Sequence, residues 1–283
     1  MSRALRELGR SRAGSFGAFI IVLFVGMALV GPWIVTRDPL RPSLRDRFAP
    51  PTYAVPPTSA YALGGDQLGR DELSRLVAGS RVTLLVAVAA VVLGSAVGIS
   101  LGLIAGYFGG WPDRIVMRLA DIQLSIPLML FALIVIAALG PSLVTLVSVL
   151  ALTGWTRYAR IIRAEVLSLR EREFVLLAVS AGAGPWRIIV RHILPNVSTA
   201  AIVVATLELA RVVILESSLS FLGLGVQPPM ASWGRMLAEG RSYVSTAWWL
   251  TAFPGIAIIL VVLGINLLGD WMRDYFDPRL ARL

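Results

Sequence analysis

The sequence has no cysteine and no lysine, and its only histidine is His192. Without cysteine there is no disulfide framework, no thiol nucleophile and no thiolate metal site, and redox chemistry gives no clue to compartment. Without lysine there is no Schiff-base amine and no Walker A loop, whose lysine contacts the nucleotide phosphates. One histidine excludes a multi-histidine metal centre. Charge is scarce as well: 15% of the 283 residues are charged, against about 25% in a soluble domain. Such a chain is poorly equipped to be an enzyme, and no cofactor is expected on it.

Apolar residues are abundant. They make up 57% of the chain, which has a mean hydropathy of +0.77, and they fall in long blocks. That pattern predicts an all-α integral membrane protein. The first block, 16–35, follows Arg3, Arg6, Arg10 and Arg12. At about 20 residues it is long enough to span a bilayer. No small-x-small cleavage site follows Gly31-Pro32-Trp33, so an uncleaved span is favoured over a signal peptide. Residues 1–36 thus read as the N-terminus and first span.

Residues 37–81 are polar. Pro39, Pro42, Pro50, Pro51, Pro56 and Pro57 keep the first half extended. Residues 66–77 predict a short amphipathic helix, with Leu73, Leu76 and Val77 on one face and Asp71 one turn before Arg75. Five more apolar blocks follow at 82–108, 115–139, 141–158, 197–224 and 247–271. The expectation is therefore six transmembrane helices, with a five-helix core over 82–272 and a tail over 273–283.

A net charge of +9 could point to nucleic acid, but the arginines lie at block ends and follow no nucleic-acid motif. Between the fourth and fifth blocks, Arg157, Arg160, Arg163, Arg170, Arg172, Arg187 and Arg191 outweigh Glu165, Glu171 and Glu173. The positive-inside rule then places this segment and both termini, including Arg273, Arg279 and Arg282, in the cytoplasm of a multi-pass plasma-membrane protein. Trp33, Trp111, Trp155, Trp248, Trp249 and Trp271 fall at block ends, as interfacial tryptophans do. Gly94, Gly98, Gly102 and Gly106 share one helix face and predict close helix packing, with a role in permeation as the alternative.

Residues 171–195 are too many for a simple turn and too apolar for a solvated loop. Phe174, Leu177, Ala178 and Ala181 recur at helical spacing, and Gly182 and Gly184 stop that helix. Pro185 opens a second one, which is expected to end before Pro195. The pair could form a knob for a partner or lie in the headgroups; the residues alone leave both open. In the fifth block, Glu208, Arg211 and Glu216 would each cost about 2.5–3.5 kcal/mol in lipid. Glu208 and Arg211 either pair with each other or line a water-filled path, and Glu216 reads as path-lining or gate-supporting. Asp121 is expected to pair with Arg118 or cap a helix end.

Leu176-Leu177-Ala178-Val179-Ser180-Ala181-Gly182, with Ile193-Leu194-Pro195-Asn196 further on, resembles the "EAA" loop of bacterial ABC importer membrane subunits. Further segments resemble the C-type subunit of the dipeptide/oligopeptide/nickel branch. They are Leu63-Gly64-Gly65-Asp66-Gln67-Leu68-Gly69-Arg70-Asp71, Asp121-Ile122-Gln123-Leu124-Ser125-Ile126-Pro127 and Gly154-Trp155-Thr156-Arg157-Tyr158-Ala159-Arg160. Arg170-Glu171-Arg172-Glu173-Phe174-Val175, Glu216-Ser217-Ser218-Leu219-Ser220-Phe221-Leu222-Gly223-Leu224-Gly225 and Asn266-Leu267-Leu268-Gly269-Asp270 complete the set.

The resemblance implies a type I ABC importer permease that carries peptides or a related solute, such as a nickel chelate or a glutathione-like molecule, in a bacterial or archaeal membrane. Its coupling loop would use Phe174, Leu176, Leu177, Ala178, Gly182, Ala183, Leu194 and Pro195. The implied partners are a homologous permease subunit, two ABC ATPase subunits holding ATP and Mg, and an extracytoplasmic solute-binding protein. One departure stands out: Leu176-Leu177 replaces the family's usual Glu-Ala, removing an acidic contact while keeping the Gly182 bend. The rival reading, an ion-coupled secondary carrier, would rest on Glu208 as its ion site.

Overall fold

The structure is a computed structural model and describes residues 2–35, 37–52 and 61–276. Pro56, Pro57, Arg279 and Arg282 lie outside the described residues. The described residues form helices and no strand, in the order α1 (Ser2–Arg10), α2 (Arg12–Ile34), α3 (Glu72–Phe108), α4 (Gly110–Ser125), α5 (Leu128–Leu139), α6 (Leu143–Arg170), α7 (Glu173–Ser180), α8 (Pro185–Ile188), α9 (Leu194–Phe221), α10 (Trp233–Gly240) and α11 (Trp249–Phe276). Side-chain oxygens cap several starts. Ser11, Asp71, Ser142 and Ser232 accept from the amides of Gly14, Ser74, Thr145 and Arg235, respectively.

Four helical stretches are long and apolar enough to cross a membrane: Arg12–Gly31, Glu72–Phe108, Pro185–Phe221 and Trp249–Phe276. The expected third span is not one rod. α4 and α5 meet at a 91° bend around Ile126-Pro127, where proline has no amide to offer the helix. α6 is long enough for a sixth span but carries Arg157, Arg160 and Arg163 in its second half. The amphipathic helix expected from residue 66 begins only at Glu72 and continues without a break into the second span.

The core is organised around α3 and α6. The glycine stripe of α3 lies against the α6 backbone: a Cβ at Gly94 would stand 2.9 Å from the carbonyl oxygen of Ala151, and one at Gly102 would stand 2.8 Å from that of Ala159. Small residues allow this approach, as membrane helices require. Val86, Ala87, Leu146, Leu150, Val213, Leu219, Trp233 and Val261 fill the centre. Phe19, Leu23, Leu133 and Ile134 face outward, as suits surrounding lipid.

A charged lock ties α3 to α10. Asp66 accepts from the amides of Leu68 and Arg70, each at 2.8 Å, and pairs with Arg70 and Arg75. Glu239 on α10 takes Arg75 at 2.8 Å, Arg70 at 3.0 Å and Arg235 at 3.0 Å. Burial alone would raise the Glu239 carboxyl, but the guanidiniums of Arg75, Arg235 and Arg70 hold it down to about 2. The expected Asp71–Arg75 pairing does not form, because Asp71 caps the helix and Arg75 turns to Asp66 and Glu239. Two expected interfacial tryptophans are instead buried donors. Trp249 bonds the Gly65 carbonyl at 3.2 Å, and Trp155 bonds the Gln123 side chain.

Candidate functional site

The loop between α6 and α9 is built from its backbone upward. α7 ends in a left-handed turn at Gly182 (φ +78°), with Ala183 N–H returning to the Ala178 carbonyl at 3.0 Å and Gly182 N–H to that of Val179 at 2.9 Å. This is a glycine-terminated helix end. Pro185 then opens α8 at a position where no amide is needed. The expected stop before Pro195 is absent. Residues Ile189–Ile193 widen into a π turn, with Leu194 N–H reaching back to the Ile189 carbonyl, and the helix runs on into α9. The wider turn accommodates the proline at the start of α9, so the chain need not break there.

The two faces of this loop differ. Val175, Ile188, Ile189 and Ile193 are buried against Leu103 of α3 and Ile162 and Val166 of α6, with Ala178 and Ala183 packed beside them. The other face leaves Phe174, Leu176, Leu177, Val179, Trp186 and Val190 exposed, Leu177 by 69%. Leu194 and Pro195 are exposed at the start of α9, as is Gly182 at the bend. The inward anchor, Val175, was not singled out from sequence, because a lone valine in an apolar run carries no distinguishing signal.

A second cluster lies between the long helices. The Glu208 side chain is 2% exposed and receives an arginine at each oxygen: Arg211 at Oε1, and Arg157 of α6 at Oε2 across 3.5 Å. The Glu208–Arg211 pair was legible from its spacing. Arg157 was not, since it reads as one of seven orienting arginines. Asp121 pairs with Arg160 rather than Arg118, because α4 turns its acidic face toward α6. Asp113 likewise takes Arg163. Glu216 is 0% exposed and enclosed by hydroxyls, accepting from Ser220 at 2.7 Å and Ser217 at 3.4 Å, with Thr83 and Ser232 facing the same carboxyl. No face of Glu216 reaches the surface of this chain. No group of three or more His, Asp or Glu side chains that could hold a metal ion occurs among the described residues.

Stacked long helices, a glycine-packed seam and a protruding helical loop define a polytopic membrane component. Residues 98–282 match the family described as "Binding-protein-dependent transport system inner membrane component", and residues 1–51 match the "N-terminal TM domain of oligopeptide transport permease C". The chain belongs to this family of ABC-type transport permeases. It is 40% identical over 280 residues to the Di/tripeptide transport system permease protein DppC of Pseudomonas aeruginosa (strain UCBPP-PA14), covering 98% of this chain and 92% of that one. It is 40% identical over 262 residues to the Probable D,D-dipeptide transport system permease protein DdpC of Escherichia coli (strain K12), covering 93% and 86%. To the Dipeptide transport system permease protein DppC of Alkalihalophilus pseudofirmus it is 38% identical over 277 residues, covering 98% and 89%. The chain is thus a multi-pass membrane permease of the kind that works with a binding protein.

Proposed function

We infer that this subunit forms, with a homologous permease subunit, the path of an ATP-driven importer of short peptides. Separate ATPase subunits hold ATP and Mg and drive it through the α7–α8 loop. An extracytoplasmic binding protein delivers the cargo, and residues 171–195 and both termini face the cytoplasm. Peptide, rather than a nickel chelate or glutathione-like solute, follows the names of the relatives.

The observation that carries the coupling role is the two-faced loop. One side is locked to α3 and α6, while Phe174, Leu176, Leu177 and Trp186 stand free on the other. Apolar residues fixed on a rigid knob suit a cleft in a partner protein. Leu176-Leu177 makes the contact hydrophobic where the family usually has an acidic residue.

The test uses the complex purified with its own ATPase subunits. Leu177→Glu should leave membrane insertion intact, and ATPase co-purification and ATP-driven uptake should fall at least about tenfold, as for loss of one central apolar anchor. Undiminished co-purification would refute the docking role.

The ion-coupled carrier fits poorly. Glu208, its best ion site, already has a guanidinium at each oxygen. Orientation has its own test: a periplasm-active reporter fused after Arg241 should be active, and one fused after Arg172 silent. The reverse result would invert the topology.

A further inference from the structure

Four guanidiniums meet three carboxylates between α4, α6 and α9. Arg163 is taken by Asp113 and Arg160 by Asp121, which leaves Glu208 shared between Arg211 and Arg157. The cluster therefore holds one more positive charge than its own acids neutralise. That surplus resides on Arg157. Arg211 engages Oε1 of Glu208 closely and is largely covered, whereas Arg157 stands 3.5 Å from Oε2 with its side chain 56% exposed. Glu208 Oε2 accepts no hydrogen bond, so Arg157 is held beside it by charge at 3.5 Å and its N–H groups are not consumed there.

The position of Arg157 limits what can meet it. It lies about 21 Å along α6 from the start of that helix. One turn on, the Arg160–Asp121 pair is also exposed, at 46% and 57%. On a helix that crosses the bilayer, charged groups displayed to lipid are costly and rare, and they ordinarily face a water-filled cavity or a partner. The exposed face of α2, by contrast, is entirely apolar along Phe19, Leu23 and Val30.

We propose that Arg157 is the station in the path that binds the terminal carboxylate of a peptide in transit. This rests on the reading of the chain as a peptide importer. Glu208 positions the guanidinium from one side and leaves its remaining N–H groups for the cargo. Because Glu208 already offsets part of its charge, the cargo carboxylate is held briefly rather than trapped. Arg211 keeps Glu208 neutralised whichever way Arg157 turns.

The experiment measures ATP-driven uptake by the reconstituted complex, comparing a dipeptide with the same dipeptide as its C-terminal amide. Arg157→Gln leaves the Glu208–Arg211 pair whole, so the variant should assemble. KM for the free acid should rise about tenfold relative to wild type, the scale of one charged hydrogen bond. KM for the amide should stay as it was, and Arg157→Lys should recover part of the loss. The binding protein is the same throughout, so a changed acid-to-amide ratio belongs to Arg157. An unchanged ratio overturns the proposal. So does loss of the homologous subunit from the purified variant with acid and amide impaired alike, which would make a partner carboxylate the occupant. Failure of the wild type to take up either peptide would instead bring down the peptide reading itself, and this inference with it.

Discussion

Gly98→Ala is expected to destabilise this protein by about 2–3 kcal/mol, within the range for overpacked cores, although alanine is ordinarily the better helix former by about 1 kcal/mol. The added methyl would lie 2.4 Å from the Trp155 carbonyl oxygen and 2.5 Å from the Tyr158 Cβ. Both are backbone or backbone-proximal atoms of α6 and cannot swing aside. The whole α3–α6 seam would have to part, and it joins the central core to the cluster under the α7–α8 loop. Gly26→Ala on α2 is the matched control, since a Cβ there meets nothing within 4 Å. Thermal unfolding of the purified protein in detergent should show a lowered midpoint for Gly98→Ala and a wild-type or raised one for Gly26→Ala. Equal midpoints would mean the seam is slack.

Glu239→Gln should have the second largest effect, and its size should depend on pH. The wild-type carboxyl is held at about 2 by three arginines, below its ordinary 4.5. A depressed carboxyl pKa contributes stability that is complete above about 4.5 and is lost as pH falls toward about 2. Removing the charge leaves Arg70 and Arg75 to share Asp66 and takes from Arg235 the carboxylate it pairs with. At neutral pH the cost should be about 2–3 kcal/mol, less than the roughly 3–5 kcal/mol of a fully buried broken pair because Glu239 keeps some contact with water. The gap between variant and wild-type midpoints should narrow as pH falls from 5 to 3. Parallel curves across that interval would show that Glu239 adds nothing by its charge.

Where a signal is local, the sequence reads well. Gly182, Gly184 and Pro185 mark the bend of the loop because each acts on its own backbone, and the four-residue glycine spacing marks the α3 seam because it needs only one helix. Glu208 and Arg211 are three residues apart and pair as that spacing allows. What stays hidden depends on partners far away in the chain. Arg75 and Glu239 are 164 residues apart, so Asp71 looks like the obvious partner of Arg75 until α10 folds over it. Arg157 is lost among arginines that serve orientation, and only the fold brings it to Glu208. Proline misleads in both directions: Pro127 bends a block long enough to read as one span, while Pro195 fails to stop a helix because a π turn makes room for it.

That π turn has a mechanical consequence. From Pro185 to Phe221 the chain is one helical rod of 37 residues, about 55 Å long. Trp186 rides at one end, exposed beside the knob, while Glu216 and Ser220 lie near the other, pressed against Ser232 and the start of α10. No loop interrupts the line, so a push on the knob has no slack to take up before it reaches the opposite end. The rod's regular winding is interrupted at the turn that already carries an extra residue. There the helix can tighten or loosen its winding while its hydrogen bonds on either side hold. Under the coupling role proposed above, the subunit would work as a drive shaft with a compliant joint beside the handle, and α10 with its charged lock would be the load at the far end.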